Sequence, residues 1–208
     1  MRKGTDSFLE EGQTPGHFPM IRIMGVDPGI AVTGFGVIDF SKGHSIQYCS
    51  SGVVRSRRWQ TFPQTIQQIF HGLTQQIEKF EPHFMAIERP FYAKNVQSAM
   101  LLGQARGVAI LAAAEAGVEV QEYSPLEVKQ AVVGYGRAGK EQVQSMIRVL
   151  LHLSQSLTPD AADALAVALC LAHSLPWQTS LKNAESRKPL KKRVCTPPKY
   201  LTDLRGYK

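Results

Sequence analysis

The sequence has few cysteines and none of the patterns in which cysteines bind zinc or build a disulfide framework. Its three cysteines, Cys49, Cys170 and Cys195, are far apart in a chain of 208 residues, and no C-x-x-C pair occurs. An odd number of widely spaced thiols argues against a disulfide-stabilised secreted domain and against a structural zinc site. We therefore expect a protein of the reducing cytoplasm.

Long hydrophobic runs are also missing. The longest apolar stretches, Val108 to Ala114 and Ala164 to Ala172, are far shorter than the ~20 residues that cross a bilayer. The N-terminal stretch from Met1 to Phe18 is polar and mixed in charge, without the apolar centre of a secretory signal. The sequence therefore predicts neither a membrane span nor export.

The excess of positive charge is confined to one end of the chain. The formal net charge is +7, and the segment from Lys182 to the C-terminus alone holds nine Lys or Arg and two acidic residues, which accounts for the whole excess. A basic tail fits an anionic partner such as DNA or RNA, although a solvated tail without a specific role has the same composition. The rest of the chain is neutral overall, so a nucleic-acid surface there has to be a local patch.

The order of hydrophobic patterns predicts one α/β domain. Strands are predicted at Ile21–Asp27, Val32–Phe40, Ser45–Val54, His83–Glu88 and Val118–Glu122, and helices at Phe62–Phe80, Asn95–Ala116, Pro125–Val133, Lys140–Leu153 and Pro159–Ser174. The first three strands, joined by short turns, predict an antiparallel meander, and the alternation that follows predicts parallel crossovers. We expect a five-stranded mixed sheet with helices on both faces over residues 20–176, a disordered extension at 1–19 and a disordered basic tail at 177–208.

Two acidic residues close predicted strands. Asp27 ends the first strand within the run Gly25-Val26-Asp27-Pro28-Gly29, and Glu88 ends the strand that begins at His83. Each has an ordinary explanation when taken alone, because Asp-Pro-Gly is a common turn tripeptide and a glutamate at the end of a strand usually faces solvent.

Asp160 and Asp163 stand three residues apart at the start of the last predicted helix, which places both on one helix face. Thr158 is in position to cap this helix, with Pro159 at its first residue. Acids in a first turn also stabilise a helix through its dipole and need no other role. The residues from Ala161 to Ala172 are otherwise small or aliphatic, which predicts burial, and two carboxylates beside a packed core need a cation or solvent to offset their repulsion.

The four acids predict a common pocket if the first and fourth strands pair in parallel, because Asp27 and Glu88 then emerge at the same edge of the sheet. The last helix would bring Asp160 and Asp163 to that edge. Four hard oxygen donors without His or Cys favour Mg²⁺ or Mn²⁺ over zinc. Two such ions ~4 Å apart are the arrangement that hydrolyses phosphodiesters.

A series of motifs resembles the RuvC family of crossover junction endodeoxyribonucleases. The matching runs are Gly25-Val26-Asp27-Pro28-Gly29, Thr33-Gly34, Ala86-Ile87-Glu88, Phe91-Tyr92-Ala93-Lys94-Asn95, Leu102-Gly103-Gln104-Ala105-Arg106-Gly107 and Asp160-Ala161-Ala162-Asp163-Ala164-Leu165-Ala166. The resemblance covers about Ile21 to His173. It implies a ribonuclease H-like fold and an enzyme that resolves four-way (Holliday) DNA junctions by paired symmetric nicks, in DNA recombination and repair.

The resemblance also assigns roles to single residues. Asp27, Glu88, Asp160 and Asp163 match the family's metal-binding catalytic acids, implying Mg²⁺, replaceable by Mn²⁺, with two ions per site. Phe91 matches an aromatic that stacks on a base at the junction centre, although a phenylalanine is more often a core residue.

Two lysines, Lys129 and Lys140, match basic residues near the scissile phosphate. Either could equally be an ordinary surface lysine.

The resemblance further implies a homodimer in the bacterial cytoplasm that works with the branch-migration proteins RuvA and RuvB and not at a membrane. Two identical active sites related by a two-fold axis suit a junction that has two-fold symmetry. The predicted helix Asn95–Ala116 has small, apolar residues over much of its length and is the candidate dimer contact. Packing within the domain would explain most of these residues nearly as well.

Two other functional classes share part of these features. Sugar kinases and actin-like ATPases open with a similar Gly-x-Asp-x-Gly hairpin, but they need two copies of the fold, whereas ~150 core residues provide one. A junction-binding protein without catalysis is the second alternative. The presence of all four acids argues against it, and a nicking assay separates the two.

Overall fold

A computed structural model describes residues 20–41, 45–57, 59–89 and 96–175 of the chain, which form a mixed sheet with helices on both faces. The elements follow in the order β1 (Ile21–Asp27), β2 (Val32–Ser41), β3 (Ser45–Arg55), α1 (Phe62–Phe80), β4 (Phe84–Glu88), α2 (Val96–Glu115), β5 (Glu119–Tyr123), α3 (Pro125–Val133), α4 (Lys140–Leu150) and α5 (Pro159–Ser174). The strand order in the sheet is β3-β2-β1-β4-β5. The predicted five-stranded mixed sheet is confirmed.

Strand β1 lies at the centre of the sheet. It pairs antiparallel with β2, as the meander predicts, and parallel with β4. Its side chains alternate between the two faces. Ile21 and Ile23 pack with α3, α4 and α5 on one face, and Met24 and Val26 pack with α1 and α2 on the other. The acidic residue that ends β1 therefore emerges from a central strand that is packed on both faces.

Helix α5 is buried along most of its length, as its composition predicts. It crosses β1 and β2 at very short range because Gly25 and Gly34 have no side chains. A Cβ atom on Gly25 would collide with the backbone oxygen of Ala164, and one on Gly34 would collide with the backbone oxygen of Asp160. The glycines thus fix the distance between the N-terminal half of α5 and the sheet.

Some predicted boundaries differ from those observed. Helix α4 ends at Leu150, whereas the pattern predicted Leu153. Leu151 occupies the C-cap position, and His152 adopts the left-handed region (φ 52°), which stops the helix although Leu153 continues the apolar spacing. Thr158 occupies the N-cap position of α5 with Pro159 after it, but its side chain makes no capping hydrogen bond.

Helix α2 is long and apolar enough to cross a membrane if only length and composition are considered. The sequence analysis considered only uninterrupted apolar runs. The mean hydropathy of the helix tolerates single polar residues such as Gln104 and Arg106, so α2 passes this test although its apolar runs are short. One such helix is weak evidence for a membrane span. Its large exposed apolar side chains are Val96, Met100, Leu101 and Leu111. Within the part of the chain that the structure describes, the exposed side of α2 therefore carries a row of large apolar side chains.

Candidate active site

Asp27 and Glu88 end neighbouring parallel strands at the same edge of the sheet. The register pairs Val26 of β1 with Ile87 of β4, so the two acids occupy equivalent positions and face α5. The turn after Asp27 is held by Thr33, whose hydroxyl donates a hydrogen bond to the backbone oxygen of Gly29 at 2.8 Å. The parallel pairing on which the predicted pocket depends is therefore present.

Helix α5 begins at this edge of the sheet and contributes the other two acids. Gly34 is the register partner of Asp27 and lies directly under the backbone of Asp160. Asp163 follows one turn later, on the same side of the helix. Three elements that are distant in sequence thus bring their carboxylates to one place.

Lys140, the first residue of α4, faces the same site. Its Nζ atom donates a hydrogen bond to Oδ2 of Asp163 at 2.6 Å. A cavity of about 230 Å³ lies beside this pair, and its lining includes Glu88, Lys129, Lys140 and Asp163. Both lysines that the family resemblance singled out therefore lie with two of the four acids.

The electrostatics show that the carboxylates interact. The pKa of Asp27 is raised to about 7, first by burial and then by the charges of Asp163, Glu88 and Asp160, while the ammonium of Lys140 acts in the opposite direction. Burial and the charge of Asp163 also raise the pKa of Glu88, and the nearby lysines partly offset this. A half-buried carboxylate that is protonated near neutral pH is typical of a site that needs a cation.

The donor set suits a hard divalent cation, since it consists of carboxylate oxygens and contains no thiolate or imidazole. In the described part of the chain, however, no three His, Cys, Asp or Glu side chains are arranged to hold one metal ion. Asp163 is instead bonded to Lys140. The chemistry of the residues therefore fits a divalent cation, and such a cation would compete with Lys140 for Asp163.

Comparisons with known proteins show to which family the chain belongs. The family model "Crossover junction endodeoxyribonuclease RuvC" matches residues 23–171, a range that contains the four acids and both lysines. The chain belongs to the RuvC family. The RuvC protein of Citrifermentans bemidjiense is 47% identical over 161 residues, which cover 77% of this chain and 98% of that protein.

Solved RuvC structures show the same fold. The structure of Thermus thermophilus RuvC is 34% identical, with a TM-score of 0.67 over 73% of this chain and 93% of that one. A second structure, of T. thermophilus RuvC in complex with a Holliday junction substrate, has the same TM-score at 31% identity and the same coverage. The ribonuclease H-like fold expected for the RuvC family is thus confirmed.

The sequence did not predict two contacts of this site, and one predicted residue lies outside the part of the chain that the structure describes. Sequence reasoning placed Lys140 near the site but did not pair it with Asp163, because the two residues are 23 positions apart and on different helices. Gly34 belongs to one of the motifs that resemble the family, but the motif does not predict that Gly34 contacts α5. Phe91 lies outside the described residues.

Proposed function

We propose that the chain is a structure-selective endonuclease that resolves four-way DNA junctions by paired symmetric nicks. Membership of the RuvC family supports this activity, as does the T. thermophilus relative solved with a Holliday junction substrate. The single observation that carries the proposal is the convergence of four carboxylates and two lysines, from β1, β4, α3, α4 and α5, at one edge of the sheet.

The family is one of divalent-metal-dependent nucleases, and for this chain we propose Mg²⁺, replaceable by Mn²⁺, with two ions per site. Asp27, Glu88, Asp160 and Asp163 would hold the ions through oxygen atoms only. When bound, divalent cations supply Lewis acidity for in-line phosphodiester hydrolysis that leaves 5′-phosphate and 3′-hydroxyl ends. Burial and repulsion by the other three acids raise the pKa of Asp27 to about 7, so a bound cation would favour the ionised form of Asp27.

The two lysines would hold the DNA strand at the site. Lys129 and Lys140 lie beside the cavity that Glu88 and Asp163 also line, so a phosphate entering it meets two ammonium groups. In this structure the ammonium of Lys140 is paired with Asp163. If Asp163 held a metal ion, the ammonium of Lys140 would be available to a phosphate oxygen.

We further propose a homodimer joined through α2. The side chains of Met100, Leu101 and Leu111 are exposed on a helix whose buried positions are alanines, and a second copy would cover them. Sedimentation at micromolar concentration is expected to give twice the chain mass of 23.0 kDa. A single species with the mass of one chain at that concentration would contradict the dimer.

Other parts of the proposal concern partners and location. Phe91 would stack on a base at the junction centre, and the chain would work in the bacterial cytoplasm with the branch-migration proteins RuvA and RuvB. The basic tail at 177–208 would add affinity for DNA through its charge.

Assembly of RuvA, RuvB and this chain on one labelled junction, measured by mobility shift, tests the partners. A junction complex of RuvA and RuvB that excludes the chain would reject them as partners.

A cleavage assay tests the activity. Labelled synthetic four-way junctions and linear duplex of the same sequence are incubated with the chain in Mg²⁺ or in EDTA. We expect symmetric nicks in the junction, no cleavage of the duplex, ligatable products, and no cleavage in EDTA. Binding without nicking in Mg²⁺ or Mn²⁺ would favour a junction-binding protein without catalysis, and equal cleavage of duplex would reject structure selectivity.

A further inference from the structure

A groove between β3 and α1 has no part in the chemistry proposed above. It encloses about 730 Å³, and the described residues that line it include no acidic side chain. Two arginines, a histidine, a tryptophan and six glutamines contribute instead, with Arg55, Arg57, Trp59, Gln67 and His71 among them. The groove is therefore positive and rich in neutral hydrogen-bonding groups, although residues 1–181 as a whole carry no net charge.

The entrance of the groove is fixed to the turn that follows Asp27. The backbone N–H of Ser56 donates to the carbonyl oxygen of Ala31 at 3.1 Å, and the Ser56 hydroxyl donates to that of Ile30 at 2.7 Å. Strand β3 is two strands away from β1 in the sheet, which corresponds to about 10 Å. The groove lies on the α1 face of the sheet and the carboxylates face α5, so a DNA strand that meets both has to pass around this edge of the sheet.

Glutamine side chains brace the entrance. The side-chain oxygen of Gln60 accepts a hydrogen bond from the Arg57 backbone at 2.8 Å, and the Gln68 amide donates to the Arg55 carbonyl at 2.6 Å. The side chains of Arg55 and Arg57 remain exposed, as does that of Trp59 at 79%. The backbone is thus tied down while the arginine and indole groups stay available to a ligand.

Arg57 and Trp59 form one recognition surface. The Arg57 guanidinium lies over the Trp59 ring, 5.9 Å from its centroid. An exposed indole on a positive groove is the combination by which proteins hold nucleic-acid strands, with stacking on the ring and phosphates on the cations. An acidic peptide would also match the charge, but it would not use the indole face.

We infer that this groove binds a strand of the DNA arm next to the cleavage site, with phosphates on Arg55 and Arg57 and a base or sugar on Trp59. The inference rests on the proposed nuclease function and names the path of the substrate beyond the carboxylates. It makes the arm, and not only the junction centre, a determinant of affinity.

Tryptophan fluorescence tests the stacking directly. The chain has two tryptophans, so Trp177→Phe leaves Trp59 as the sole reporter. In EDTA, which prevents cleavage, titration with a four-way junction is expected to quench Trp59 emission at the same concentrations at which a labelled junction is bound. A parallel titration with polyglutamate is expected to leave the emission unchanged.

Salt dependence tests the phosphate contacts. In the Arg55→Gln/Arg57→Gln double variant, the slope of log affinity against log salt is expected to fall by about two, because each phosphate contact contributes about 0.9. Trp59→Ala is expected to weaken binding about tenfold without changing the slope. Arg148→Gln, which removes an exposed charge from the last turn of α4, is the control. It should change neither the affinity for the junction nor the slope of log affinity against log salt.

The outcomes separate this inference from the proposed function. If the unmodified chain cleaves junctions but Trp59 is not quenched and the double variant keeps the wild-type slope, the groove inference is overturned and the nuclease stands. Quenching by polyglutamate and not by DNA would overturn it in favour of a protein partner. Failure of the unmodified chain to nick junctions would instead count against the proposed function, whatever Trp59 reports.

Discussion

Asp27→Asn is expected to lower junction cleavage by more than about a hundredfold while junction binding changes little. Groups that only support a metal ligand already contribute about 10–100-fold, and Asp27 is proposed to be a ligand itself. Neutral asparagine keeps the shape of the side chain but removes the negative charge at the centre of the carboxylate group. Single-turnover nicking in Mg²⁺ and mobility shift in EDTA measure the two effects separately.

The same substitution is expected to stabilise the metal-free protein at pH 8. The pKa of Asp27 lies near 7 in the folded chain, above its ordinary value of 3.8. A raised pKa in the folded state means that ionisation opposes folding, so stability from this group is present below pH 4 and is lost as the pH rises through 7. A neutral asparagine at this position avoids that loss, which is of order 1–4 kcal/mol. Thermal melting in EDTA should show the largest gain at pH 8, a smaller gain at pH 5 and almost none below pH 4.

Controls distinguish a site effect from a general charge effect. Glu88→Gln should behave like Asp27→Asn in cleavage, whereas Glu78→Gln, the same change on the exposed side of α1, should leave cleavage and stability unaltered. Added Mn²⁺ should raise the melting temperature of the unmodified chain and not that of Asp27→Asn. Cleavage that persists in Asp27→Asn, or an unchanged response to Mn²⁺, would reject Asp27 as a metal ligand.

Gly34→Ala is expected to damage both stability and catalysis although it adds a single methyl group. The new Cβ atom would collide with the backbone of Asp160, so α5 has to move away from β2. Overpacking of this kind costs about 1–3 kcal/mol. Because displacement of a catalytic group by ~1 Å can reduce a rate about a hundredfold, cleavage should fall by a similar factor. Urea unfolding and single-turnover nicking measure the two losses.

Gly103→Ala is the matched control for this substitution. Gly103 lies within α2, and a Cβ atom there would meet no neighbouring atom within 4 Å. Alanine in a helix interior is favoured over glycine by up to about 1 kcal/mol, so the variant should be as stable as the unmodified chain or more stable. Because α2 is also the proposed dimer contact, the two variants are compared in unfolding only; if they unfold alike, the close approach of α5 to the sheet does not limit the space at Gly34.

Much of the fold follows from local patterns. The short apolar run Ile21–Asp27, which ends at a Pro-Gly turn, and the three- to four-residue apolar spacing in Phe62–Phe80 predicted the bounds of their elements, because these patterns record which residues are buried. Boundaries that depend on a single backbone angle could not be predicted from the apolar spacing. The end of α4 is decided by the left-handed conformation of His152, which the apolar spacing does not report.

The sequence by itself determined the identities of the acids, since Asp27, Glu88, Asp160 and Asp163 stand in motifs whose order and spacing already resemble one family. The pairing of Asp163 with Lys140, the raised pKa of Asp27 and the contact of Gly34 with α5 were decided only by the tertiary structure. Charge interactions and steric contacts depend on distances of a few ångströms between residues up to 136 positions apart. Sequence patterns indicate local burial and turn preferences. The distances between these residues, in contrast, are set only when the sheet brings the strand ends and helices together.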